Sequence, residues 1–320
     1  MNKIKTVILG CGSIAGNNYS GFKSRLNHVN EINNNPDFEL LACIEKNIKK
    51  KNFFKKKYKI PYSFSSLENF LKMKLSYDLI VICTNTESHF KNLMKLLKNN
   101  SKNILCEKPI CTNYYELKKL SDLIKKKNSN IFVNFNRKED STIQNLKKII
   151  YKKNFGEIQF VRCIYGNGLI NNGIHLIDLL FFLFGNLKLK QVLKNELKSK
   201  KNRQSPSFIL KSNKKFPIIV DSLVENEFSI FEIDIIFKNG RIKYNDNGLK
   251  IEFFETVKNK YFTDKKKLSS RPQIMKTEFL RSFKNQYQKI AVVIKNNKYN
   301  FEFENFKKVH KLCFETIKKY

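Results

Sequence analysis

The chain reads as an α/β protein in two parts: a doubly wound parallel sheet over residues 1–134, and an α/β domain with an open, largely antiparallel sheet over 135–320. Three observations predict this. Short apolar runs alternate with lysine-rich helical stretches in the first part, a glycine turn follows its first apolar run, and longer segments of apolar-polar alternation dominate the second. A length of 320 residues with 41% apolar content is enough for two cores of ordinary size.

The expected strands of the first part are 6–9, 40–44, 79–83, 103–106 and 131–134. Between them, helical periodicity covers 68–72, 90–97 and 114–126, and the lysine run 49–59 interleaves Phe53, Phe54 and Tyr58 as an amphipathic helix with a solvated face. A helix over 141–153 opens the second part. It leads into strands at 158–165, 187–197, 208–211, 216–223, 229–237, 241–245 and 249–256, whose alternation fits a sheet covered on one face. The apolar run 174–184 contains His175 and Asp178 and is shorter than the ~20 residues a bilayer span needs, so it reads as a buried helix. Helices over 275–295 and 304–318 end the chain.

Composition narrows the function classes. The net charge is +34, yet only seven of the 62 basic residues are arginine. The lysines are spread over nearly every polar face, unlike the clustered, arginine-led patches of nucleic-acid readers. The charge suits attraction of an anionic small molecule, and neither a nucleic-acid nor a membrane partner is expected. Seven scattered cysteines without a CxxC pair fit reduced, buried thiols, with no disulfide framework and no metal site. The N-terminus runs directly into a strand and glycine turn, which is no signal peptide, and a cytoplasmic protein is expected.

Three motifs carry chemistry. Gly10, Gly12 and Ala15, with Ser13 and Ile14 between them, stand in GxGxxA spacing after the first strand. There the first glycine permits the turn, the second admits a pyrophosphate to the backbone, and the small third residue lets helix and strand pack, with helix N-terminal amides holding the phosphates. Glu45 ends the second strand and is placed to accept hydrogen bonds from an adenosine ribose, favouring NAD, while the adjoining Lys46 leaves NADP open. A polar insertion at 17–27 lengthens the spacing, and the helix is expected to resume at His28. The second motif is ILCEKP, where an apolar strand runs into Glu107, Lys108 and Pro109. The third is NNGIHLID, with a lone His175.

These segments, together with VICTNTESH at 81–89, occur in an order and spacing that resembles the Gfo/Idh/MocA oxidoreductase family over essentially the whole chain. The resemblance implies a Rossmann domain followed by an α/β domain whose open sheet often forms a homo-oligomer. It also implies NAD(P)-dependent oxidation or reduction of a sugar, cyclitol or nucleotide-linked sugar. Carried over, it puts Thr84 and Asn85 on the cofactor, Glu107 on the nicotinamide ribose, Lys108 in the active site with Pro109 cis, and His175 facing Lys108. Asn136 and Arg137 become candidate substrate contacts, along with Asn172 and Asp178, whereas His89 is expected to be structural. The stretch around His175 is similar to the subset associated with surface-polysaccharide and nucleotide-sugar pathways.

Moving a hydride between a secondary alcohol and nicotinamide requires a group that takes and returns the hydroxyl proton, and lysine and histidine are suited to it. Asp178, three residues after His175 on one helix face, is placed to orient the ring or bind a hydroxyl. Relatives often carry an aspartate four residues before the histidine, where this chain has Asn171. An amide orients a hydroxyl but cannot accept its proton, so the proton falls to Lys108 or His175. A lone histidine in an apolar run is also an ordinary core residue. The alternative function is therefore a non-catalytic dinucleotide-binding or regulatory protein that keeps the fold.

Overall fold

The apolar runs of the first part form β1 (Ile4–Leu9), β2 (Phe38–Ile44), β3 (Tyr62–Phe64), β4 (Leu79–Ile82), β5 (Asn103–Cys106) and β6 (Asn130–Val133). The computed structural model describes residues 2–16, 26–152, 155–193, 204–224, 228–299 and 302–320. The six strands make one sheet in the order β3-β2-β1-β4-β5-β6, every pair parallel. Every residue of β4, β5 and β6 is buried, as strands covered on both faces require. The sequence pattern missed β3, which is three residues long and lacks a buried side chain.

Five helices cross over between these strands: α1 (His28–Asn34), α2 (Ile48–Tyr58), α3 (Leu67–Lys72), α4 (Thr86–Lys98) and α5 (Tyr114–Lys127). Asn27, Asn47, Ser66 and Asn113 cap four of them by accepting an otherwise unpaired amide near the helix start. Only Phe54 of α2 is buried, so its lysines form the solvated face the sequence predicts.

The second part begins with a short 3-10 turn (Asn136–Glu139) and α6 (Ser141–Tyr151). Asp140 caps α6 through Thr142 N at 2.8 Å, and the same Oδ1 accepts Glu278 N at 3.2 Å. Then follow β7 (Ile158–Tyr165), α7 (Ile174–Phe184), β8 (Leu187–Leu193), β9 (Ser207–Ser212), β10 (Pro217–Ser222), β11 (Phe231–Phe237), β12 (Gly240–Asn245), β13 (Lys250–Lys258), β14 (Lys266–Leu268) and β15 (Gln273–Lys276). These make a nine-stranded sheet in the order β14-β13-β12-β11-β7-β10-β9-β8, with β15 also on β13. Its pairs are antiparallel except β10 with β7. Along β11, Phe231, Ile233, Ile235 and Phe237 are buried and alternate with half-exposed residues, which is the signature of a sheet covered on one face. Eight of the 11 residues of α7 are buried, so it is the buried helix its composition predicts.

The last helices are α8 (Ser282–Lys295) and α9 (Phe303–Lys319). A helix starting at 275 is corrected, because Met275 lies in β15 and pairs with Ile251. The pairing edge of β13 claims that segment, an influence that local periodicity does not carry. The ends of the expected helix 141–153 and strand 187–197 fall partly on 153 and 194–197, outside the described residues.

The chain divides into two units, Met1–Asn136 with Phe283–Lys307, and Arg137–Ser282 with Lys308–Tyr320. A single boundary at 134/135 therefore gives way to a discontinuous first unit. Tyr287, Ile290 and Ala291 of α8 are buried in one cluster with Ile4, Ile8, Val29 and Phe38, which draws the helix back to the first sheet. All seven cysteines are buried free thiols. No helix among the described residues is long and apolar enough to cross a membrane.

Ile290→Ala removes a side chain only 1% exposed from that cluster, and should cost about 2–5 kcal/mol. Urea unfolding of the full chain should show a lower midpoint with an unchanged slope.

Candidate active site

The ends of β1, β2 and β4 come together where the strand order reverses between β1 and β4, the place where open parallel sheets take their ligands. Gly10 stands there at φ +95°, and a Cβ on it would lie 2.8 Å from Thr84 N and 2.9 Å from the Cys83 carbonyl. Only glycine fits this approach. At Gly12 the nearest atom to an added Cβ is Cys83 O at 4.0 Å, so this backbone faces open space. That space is a cavity of about 420 Å³ lined by Gly10, Gly12, Glu45, Lys46, Thr84 and Asn85 among others. A dinucleotide pyrophosphate fits an exposed glycine backbone of this kind, and an added side chain at Gly12 would fill it.

Residues 13–16 form a turn, with Ser13 exposed, Ile14 half-buried and Ala15 buried. A helix, α1, begins at His28, as the sequence predicts. Residues 17–25 lie outside the described residues. Still, His28 N donates to Ile14 O and Val29 N to Ala15 O, both at 3.0 Å, so α1 resumes the turn that the insertion interrupts.

Glu45 is oriented by backbone amides: Cys11 N donates to Oε2 at 2.9 Å and Asn47 N to Oε1 at 3.0 Å. Cys11 N thus leaves the glycine turn pointing at the carboxylate expected to meet a ribose. Beneath it, the Cys11 thiol is pushed up, chiefly by its hydrogen bond with Cys43 and then by burial, so it stays protonated. On the other wall, Ser88 Oγ donates to Thr84 Oγ1 at 2.7 Å, and Asn92 Nδ2 reaches the same oxygen at 3.3 Å. Thr84 and Asn85 are thereby set at the start of α4. His89 lies 2.7 Å from Pro109 O and 2.8 Å from Thr84 O through its two ring nitrogens, a structural tie between the two turns.

The ILCEKP turn follows β5 in the same unit. Its Lys108–Pro109 peptide is cis, and Lys108 is half-buried. In this turn Glu107 Oε1 faces inward. It is 2.9 Å from His28 Nε2 and accepts Asn134 Nδ2 at 2.5 Å. Burial by itself pushes the carboxyl up. The hydrogen bond and charge of His28, the Asn134 bond and the Lys108 ammonium outweigh it and hold Glu107 below the usual range. His28 Nδ1 in turn meets the Tyr287 hydroxyl at 2.9 Å.

In the second unit, Asn171 and Asn172 belong to a π-helical turn (Leu169–Gly173) that runs into α7. Asn172 Nδ2 donates to Gly166 O at 3.1 Å. A Cβ on Gly173 would meet Leu169 Cδ1 and Tyr165 Cε2 at 2.8 Å, so this glycine lets α7 press on β7 and fixes the start of the helix that carries His175. Asp178 Oδ1 accepts Lys138 Nζ at 3.2 Å, with both side chains at least nine-tenths buried. Asn136 is buried. The Arg137 guanidinium lies 3.8 Å from the Phe231 ring and 4.7 Å from that of Phe279 and donates to Asn247 O at 2.9 Å. This arrangement fastens it into its own unit.

Sequence reasoning missed His28, Asn134 and Tyr287 around Glu107, and Lys138 beside Asp178. The available signals were slight: a histidine where a helix resumes, an asparagine at a strand end, and a lysine within NRKED. Their partners lie as far as 259 residues away in sequence.

This fold and cavity define a dinucleotide-binding α/β protein. Residues 4–135 match the model of the Gfo/Idh/MocA oxidoreductase family, NAD-binding Rossmann fold. An uncharacterized oxidoreductase of Schizosaccharomyces pombe, C26H5.09c, is 30% identical over 209 residues, which cover 58% of this chain and 53% of the relative. The chain thus spans about half the length of that curated relative. Among solved structures, the dehydrogenase MviM from Clostridium difficile superposes with TM-score 0.78 at 19% identity, covering 100% of both chains. The WlbA dehydrogenase from Bordetella pertussis, in complex with NADH and UDP-GlcNAcA, does so with TM-score 0.80 at 15% identity, covering 99% of this chain and 95% of the other. At these identities the likeness is one of fold.

Glu107 gives the site a pH signature. Its native pKa is depressed below the ~4.3 of an unfolded glutamate, so the unfolded chain takes up the proton first. Its contribution to stability is complete above that value and is lost as pH falls through the native pKa. Glu107→Gln should therefore lose less stability than the wild type between ~pH 5 and ~pH 3, as read by denaturant unfolding at each pH.

Proposed function

We propose that this protein is an NAD(P)-dependent oxidoreductase that moves a hydride to or from a secondary alcohol of a sugar or nucleotide-linked sugar. The observation that carries the reading is the placement, in one unit, of an open Gly12 backbone and an amide-oriented Glu45 at the strand ends with the Lys108 turn after the neighbouring strand. Gly10, Gly12, Ser13, Ile14 and Ala15 receive the pyrophosphate, Glu45 the adenosine ribose, and Thr84 and Asn85 line the path toward the nicotinamide. Nicotinamide, when bound, supplies the hydride acceptor or donor.

Lys108 Nζ holds the proton exchanged with the substrate hydroxyl, and the ionised Glu107 behind it favours the ammonium form. His175 is the second group able to move a proton, while Asn171, Asn172 and Asp178 orient hydroxyls. Glu45 supports NAD over NADP, since a carboxylate repels the additional phosphate. The match of residues 4–135 to the oxidoreductase family model, and the nucleotide-sugar complex of a protein with the same fold, support the sugar class. A role in surface-polysaccharide synthesis and a homo-oligomer built on the second unit's sheet belong to the same proposal. A net charge of +34 suits an anionic substrate.

Asn171 supports a second reading, a dinucleotide-binding protein without turnover, because its amide cannot act as a base. NADH fluorescence titration and absorbance assays over a panel of nucleotide sugars separate the two. Lys108→Ala should lower kcat about 10²- to 10⁴-fold with NADH affinity little changed. Gly12→Val should weaken NADH binding at least about tenfold, or 1.4 kcal/mol. Tight binding without turnover on any of these substrates would select the second reading, and the absence of any NAD(H) or NADP(H) binding would defeat both.

A further inference from the structure

We infer that His28 is a positioning residue for Lys108, acting through Glu107, and that it ties the glycine turn and the Lys108 turn into one rigid piece. The inference rests on the reading of Lys108 as the group that handles the proton. His28 is 0% exposed and is held at both ends. Its backbone N donates to Ile14 O in the glycine turn at 3.0 Å. Its ring Nε2 is 2.9 Å from Glu107 Oε1, and its Nδ1 is 2.9 Å from the Tyr287 hydroxyl. Phe283 flanks the ring at 5.1 Å.

The direction of these bonds follows from the partners. Burial foremost pushes the Tyr287 hydroxyl well above its ordinary range, so it keeps its proton beside Nδ1. Nε2 faces the ionised Glu107 carboxylate, which can only accept, so Nε2 carries a hydrogen and donates it to Oε1. Asn134 supplies a second donor to the same oxygen. Tyr287, His28, Glu107 and Asn134 thus join α8, α1 and the ends of β5 and β6 beneath Lys108. The titratable groups around Glu107 are His28 of α1, Cys83 after β4, Cys106 of β5, Lys108 in its own turn and Tyr287 of α8.

Without His28, a buried carboxylate loses its main donor and takes up a proton, since a charge of that kind is not tolerated unpaired. The anion beside Lys108 then disappears. His28 acts on the lysine only by keeping Glu107 ionised and in place.

The test measures amine-reactive labelling of Lys108, peptide by peptide, by mass spectrometry over a range of pH in the full chain, with no cofactor or substrate present. His28→Phe and Glu107→Gln should each lower the pH midpoint of Lys108 labelling by about one unit, a tenfold change in proton affinity. The double variant should shift no further than Glu107→Gln alone, and His28→Gln, which keeps an amide donor, should recover most of the wild-type midpoint. Lys102 and Lys127 should be unaffected. If His28→Phe does not fold, His28→Asn, too short to reach both partners, supplies the same loss. A wild-type midpoint in the His28 variants, or additive shifts in the double variant, would overturn the inference. Labelling needs no turnover, so a lack of activity would defeat the preceding proposal alone, whereas unmoved midpoints in an active enzyme would defeat this one alone.

Discussion

Parallel strands that begin together also end together, and the first unit is arranged around that constraint. The carboxyl ends of β1, β2, β4 and β5 deliver the glycine turn, Glu45, Thr84 and Lys108 to one edge of one sheet. None of these side chains is placed by its own local structure. Each is the first residue, or nearly so, after a strand whose interior is fixed by burial, and the approach of Gly10 to Thr84 N closes the set so tightly that one methyl group would disturb it.

The same edge holds a buried charge. An ionised carboxylate nine-tenths removed from water is costly unless it is paired and hydrogen-bonded. Glu107 meets that condition with one imidazole, one amide and the ammonium of its neighbour. The residues that satisfy it come from three other elements, so the charge beside Lys108 exists only when α1, α8 and β6 are all docked. Helix α8 returns from near the end of the chain to supply Tyr287, which explains why the first unit is discontinuous.

The legible parts of this protein were those governed by short-range rules. The GxGxxA turn, the cis Lys108–Pro109 bond, the structural histidine at 89 and the resumption of α1 at His28 all rest on a few consecutive residues. So do the strands with unbroken or alternating burial. β3 and β14 were not legible, because three residues with no buried side chain leave no period to detect. β15 was mistaken for helix because its partner, β13, decides its conformation. The two aromatic rings that flank the Arg137 guanidinium lie 94 and 142 residues downstream, so no local window shows that packing.

The fold class and the glycine turn after the first strand were legible in local pattern and spacing, and the expectation placed on Lys108 came from the same short-range pattern. Tertiary structure alone decided which way Glu107 points, what keeps it charged, and that Lys138 is paired with Asp178. Those outcomes depend on burial and on partners brought together from up to 259 residues apart. No local window of sequence holds both members of such a pair.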